Sequence, residues 1–151
     1  MMKMIFALAL LAFATPLFAS DPFAGTWKLN PAKTKYTTGT APKAVTLVIE
    51  EQGANLLVTA TGTNADGSPV SVTYTVPIKG GAGTVQTGDF DGITAKQVSD
   101  HVRENSYTKG GTELRTRRMT VSEDGKSLKS IVTGTGTNGQ KVDGVDVYDK
   151  Q

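Results

Sequence analysis

Three stretches of this chain alternate between apolar positions on one face and mostly polar positions on the other. Val45, Leu47 and Ile49 fall on one face, with Thr46, Val48 and Glu50 on the other. Leu56, Val58 and Ala60 oppose Leu57, Thr59 and Thr61, and Val70, Val72, Tyr74 and Val76 oppose Ser71, Thr73 and Thr75. A two-residue period puts alternate side chains on opposite faces of a strand, so each stretch predicts a strand with one buried and one wetted face. The breaks between them are turn chemistry. Residues 51–55 carry Gly53, and Asn64-Ala65-Asp66-Gly67 supplies the Asp-Gly pair that tolerates the positive φ of hairpin turns. Pro77 ends the third strand or marks an edge, because it cannot donate to a ladder.

The first strand is read at Gly25 to Leu29, ended by Asn30-Pro31. Residues 32–44 read as a connecting loop with one helical turn at 31–34, and 80–83 as a flexible glycine turn. Residues 84–87, 93–98, 102–108 and 113–121 read as strands whose interior faces are ambiguous, since polar and apolar side chains mix on both. Order returns at 127–135 and at the closing strand, 141–148. About ten short strands, with turn signals every 8–12 residues or so, is the pattern of a sandwich or barrel. Val58-Thr59-Ala60-Thr61-Gly62-Thr63-Asn64 is echoed by Val132-Thr133-Gly134-Thr135-Gly136-Thr137-Asn138, as if one meander unit were used twice. Strand, turn, strand in unbroken order favours antiparallel pairing between neighbours, and closing the meander removes its edges.

Before all this stands an apolar run, Ile5 to Phe13, with Lys3 ahead of it and Pro16 behind. Leu17-Phe18-Ala19 puts a small residue at a cleavage point before Ser20. Residues 1–19 read as a secretory signal, too short for a membrane span of about 20 residues. Residues 20–151 are then a single domain, placed in the periplasm or outside the cell, with no stable membrane insertion once the leader is cut. Setting Lys3 aside, 15 basic face 14 acidic side chains, which gives no electrostatic case for nucleic acid. There is no cysteine, so packing and pairing alone hold the fold.

Gly25-x-Trp27 at the start of the first strand, with an antiparallel meander behind it, resembles the lipocalin-like (calycin-type) barrels. Residues 21–33 resemble the opening of small exported bacterial proteins of that type. The resemblance implies an all-β, antiparallel up-and-down barrel of about 8–10 strands, in which Gly25 and Trp27 form the plug of the closed end. The chain departs from the pattern in one respect. Lipocalins carry an Arg near the last strand that packs over the Trp; here the last Arg is Arg118, and the final strand offers only Lys141, Tyr148 and Lys150. The fatty-acid-binding barrels carry an Arg-x-Tyr clamp near the C-terminus, and Asp146-Val147-Tyr148 has the Tyr without the Arg. A buried Trp27, with Lys or Tyr chemistry or simple packing in place of the Arg, is the expectation.

Candidate chemistry is sparse. His101 is the only histidine; Ser99, Asp100 and Ser106 are close in sequence, but adjacent strand residues face opposite ways, so it reads as a loop or rim residue rather than part of a triad. Asp89-x-Asp91-Gly92 lacks the later ligands of a calcium loop and reads as a turn. No metal site, no cofactor and no catalytic group is expected. Arg115 and Arg117 share a face with Glu113, Met119 and Val121, near Arg103 and Lys109. Two readings stand: a solvated outer face, or one or two arginines pointing inward to an anionic group. Tyr74, Arg103, Arg115 and Arg117 are the candidate ligand-binding residues. Leu29, Val45, Leu47, Ile49, Leu56, Val58, Val70, Val72, Tyr74, Ile93, Leu114, Leu128, Val132 and Val145 are the expected core or cavity wall. The leading expectation is a monomeric barrel holding a small hydrophobic or amphipathic ligand; the alternative is a filled barrel acting as an envelope interaction module.

Overall fold

A computed structural model describes residues 19–151, so the leader expected at residues 1–19 lies outside the described residues, Ala19 excepted. The strands are β1 (Gly25–Leu29), β2 (Lys35–Thr38), β3 (Ala44–Gln52), β4 (Asn55–Thr63), β5 (Pro69–Pro77), β6 (Gly81–Ala82), β7 (Thr84–Thr87), β8 (Gly92–Ser99), β9 (Val102–Lys109), β10 (Thr112–Val121), β11 (Ser127–Thr135) and β12 (Lys141–Lys150). Among the described residues there is no helix. All pairings are antiparallel; those among β3, β4 and β5 and among β8 to β12 follow chain order, and β12 returns to pair with β1. The result is a nearly closed up-and-down β-barrel.

Two pairs of short strands each act as one stave, so twelve strands make a ten-stave wall. β1 pairs with the end of β12 and β2 with its middle, opposite Asp143 to Val145. Between them the chain turns at Asn30, whose carbonyl accepts from the Lys33 and Thr34 amides. The ladder survives the turn: the Asn30 amide donates to Val147 O at 2.7 Å, and Thr34 Oγ1 accepts from the Val147 amide at 3.1 Å. The second composite stave is β6–β7. β6 pairs only with β8 and β7 only with β5, with Gly83 between them. A Cβ at Gly83 would run into the Thr75 carbonyl and the side chains of Val76 and Ile93, so only glycine passes there.

The alternation in β3, β4 and β5 points inward as expected, and Val45, Ile49, Leu56, Val58, Ala60, Tyr74 and Val76 are buried. Four expectations need correction. The loop at 32–44 contains β2, which was hidden because it has no apolar alternation. The glycine turn at 80–83 contains β6, whose two residues have almost no side chain to show a face. Glu113 does not share the inner face of Arg115, because a bulge between them resets the register; it lies outside and accepts from Ser106 Oγ. Val145 belongs to the outer face, since Gly144, Asp146 and Tyr148 are the buried positions of β12.

The closed end is built by the segment before β1. Phe23 is buried, and its carbonyl accepts from Trp27 Nε1 at 2.9 Å. Trp27 is 0% exposed. Lysine covers it, one of the expected alternatives: Lys150 Nζ lies 5.1 Å from the Trp27 ring centroid, a cation–π contact. Gly25 makes room for that crossing, because a Cβ there would sit 2.7 Å from Lys150 Cε. The loops at the opposite end, β2–β3, β4–β5, β7–β8, β9–β10 and β11–β12, form the rim.

Candidate functional site: a lumen with two unlike walls

The barrel encloses a cavity of about 320 Å³ that opens toward the rim past Thr40, Ala65, Asp66 and Thr137. One side is hydrocarbon. β3, β4 and β5 contribute Val45, Leu47, Ile49, Leu56, Val58, Ala60, Val70, Val72 and Val76, and the only polar side-chain group among their inward residues there is the Tyr74 hydroxyl. The other side is largely polar, although Met119, Val132 and Val142 also line it. β9 contributes Arg103, Asn105 and Tyr107, β10 contributes Arg115 and Arg117, β11 contributes Ser130, and β12 contributes Asp146 and Tyr148.

Arg115 and Arg117 thus point inward, and the outer-face reading is corrected for both. Arg118 is the outward member of the cluster and pairs with Glu104 on the solvated face. Each inward arginine meets one aspartate from a different element. Arg103, at the floor, lies 3.4 Å from Asp21 Oδ2, donates to Ile78 O at 2.5 Å, and stacks over the Phe23 ring with 5.5 Å from Cζ to the centroid. Arg117, in the middle, donates from Nη1 to Asp146 Oδ2 at 2.8 Å and to Ser130 Oγ at 3.1 Å. Arg115, nearest the rim, holds both Asp89 oxygens and also donates to Thr135 O at 3.1 Å. A paired buried charge is tolerable and an unpaired one is not, which is why all three arrive in couples.

Asp146 is 0% exposed, and its Oδ1 accepts from the Tyr36 hydroxyl at 3.0 Å. The Tyr36 ring fits because position 144 is glycine; a Cβ there would collide with the ring. Burial, and then the neighbouring Asp146 charge, push the Tyr36 and Tyr148 hydroxyls well above the usual tyrosine range. Tyr74 is raised by burial and by Tyr107, whose hydroxyl lies 3.2 Å away. Burial alone would make Arg117 easier to deprotonate, but the Asp146 carboxylate together with the Tyr148, Tyr107 and Tyr36 hydroxyls outweighs it, so the guanidinium is held more firmly charged than usual. Phe90, from the β7–β8 loop, packs edge-on against Tyr107 with centroids 4.9 Å apart and lies under Arg115. Asn105 Nδ2 donates to the Tyr74 hydroxyl at 3.2 Å.

The four residues singled out from sequence, Tyr74, Arg103, Arg115 and Arg117, all line this one cavity. Gly25 and Trp27 do not line it. Asp21, Tyr36, Asp89, Asn105, Tyr107 and Asp146 were missed. The usable signal was alternation itself: Arg103, Asn105 and Tyr107 hold every second place, as do Gly144, Asp146 and Tyr148. His101 lies in the β8–β9 turn at the closed end, with Nδ1 3.2 Å from Val121 O. Among the described residues, no group of three His, Asp or Glu side chains is placed to hold a metal.

No protein-family model matches the sequence, and no curated protein matches it at a significant level. Among solved structures, the chain is similar to a redesigned β barrel, mFAP1, bound to DFHBI, at 14% identity over 85% of this chain and 95% of that one, with a TM-score of 0.45. It is also similar to apocrustacyanin C1, at 12% identity over 87% of this chain and 62% of that one, with a TM-score of 0.44. Likeness at that level adds no argument to the strand pairing, on which the barrel architecture rests.

Proposed function

We propose that this is an exported, monomeric binding protein that carries a small amphipathic molecule inside its barrel. The observation that carries the reading is the division of the lumen: hydrocarbon from β3–β5 faces hydrogen-bonding groups from β9–β12 across one cavity of about 320 Å³. Such a space fits a ligand with one apolar and one polar side, and its size is at the lower end of small-molecule sites. A filled barrel would leave no such volume. The test is direct. Purified protein, analysed by native mass spectrometry and solvent extraction, should release a stoichiometric small molecule, and ANS should gain fluorescence that a competing amphiphile reverses. Protein that carries nothing and leaves ANS dark would overturn the reading.

A further inference from the structure

The charges in the lumen are already balanced. Arg103, Arg115 and Arg117 are matched by Asp21, Asp89 and Asp146, and Asp66 adds a further negative group at the mouth. No surplus positive charge waits for an anion. Of the three guanidiniums, Arg117 keeps the most open surface, 27% against 3% for Arg103 and 9% for Arg115. Its cross-strand neighbours, Asn105 and Val132, are buried, so that surface looks into the cavity. Only Nη1 is engaged; among the described residues, Nε and Nη2 have no hydrogen-bond partner. The Arg117 counter-charge is locked behind it, with Asp146 fully buried and tied to Tyr36.

We propose, building on the ligand-binding reading above, that Arg117 Nε and Nη2 receive an uncharged oxygen: the carbonyl or hydroxyl of an amphipathic amide, ketone or alcohol, whose chain lies against β3–β5. A free carboxylate is disfavoured. It would lose its hydration on entering the barrel and meet a guanidinium already neutralised by Asp146, so the attraction would not repay the loss. A neutral oxygen needs only the two open donors.

Calorimetric titration with decanamide and decanoate, which share one chain and differ in the head, tests this at neutral pH. Decanamide should bind at least about tenfold more tightly to the wild-type protein, a difference of about 1.4 kcal/mol. Asp146→Asn keeps the shape and removes the counter-charge, so it should reverse the order in favour of decanoate. Arg117→Lys keeps the charge but removes the planar donors, and should weaken decanamide about tenfold. Equal binding of the two heads, or preference for decanoate by the wild type, would overturn the neutral-head assignment while leaving ligand binding standing. Binding of neither probe, with ANS dark as well, would remove both. The wild-type comparison decides even where a variant fails to fold.

Discussion

The two halves of the lumen obey the same geometry and opposite chemistry. On β3–β5 every second residue but Tyr74 is aliphatic, and the wall is held by contact and exclusion of water. On β9–β12 most of the residues facing the cavity are Arg, Asn, Tyr, Ser or Asp, with Met119, Val132 and Val142 among them, and the wall is held by ion pairs and directed bonds. A hydrocarbon wall tolerates imperfect packing at a graded cost. A buried ionic wall fails sharply when one partner is removed, because the other charge is left in the interior. The difference between the walls is therefore a difference in how each should respond to injury.

The sharpest break should come from Asp146→Ala, which strands Arg117. A loss of about 3–5 kcal/mol is expected in urea unfolding. Replacing both partners, Arg117→Met with Asp146→Leu, should recover most of it. A single-variant loss below about 1 kcal/mol would mean that the polar wall is hydrated rather than buried, and the contrast would dissolve. On the apolar wall, Leu56, which is 2% exposed, should lose about 2–4 kcal/mol on truncation to Ala, with no rescue by a second change.

Alkali should separate the walls more gently. The folded protein holds the Tyr36, Tyr74 and Tyr148 protons more tightly than the unfolded chain does. Stability is therefore complete below the ordinary tyrosine value of 10.0 and declines as pH rises beyond it. Phenolate absorbance should show these three ionising only together with unfolding; ionisation inside an intact fold would contradict the burial of these hydroxyls. Least affected should be Arg118→Ala. The Arg118–Glu104 pair stands in solvent with 46% and 40% of its side chains exposed, and its loss should change stability by no more than about 0.5 kcal/mol in the same urea assay.

The same contrast explains what could be read from the sequence. β3, β4 and β5 were legible because hydropathy and strand period coincide there. In β9, β10 and β12 the period is intact, but the inward residues are polar, so the eye takes the valines as the buried ones. Val145 was misplaced for that reason, and Asp146 beside it was overlooked. The bulge after Glu113 shifted one residue to the wrong face and left the two arginines undecided. Tyr36 depends on Gly144, a relation between residues far apart in the chain that no local pattern carries. β2 was unreadable because Lys35-Tyr36-Thr37-Thr38 carries no apolar alternation, and β6 because two residues, Gly81 and Ala82, show no face.

The change of partner at Gly83 also sets a clock. Among the described residues Thr84–Thr87, like the short strands β2 and β6, is paired along one edge alone, by a ladder to Thr73–Thr75. Few bonds must part for this segment to lift away, so its amides should take up deuterium faster than those of the long strands and on a timescale independent of global unfolding. The barrel would then have a breathing point in its side, on the far wall from the seam that joins its two termini.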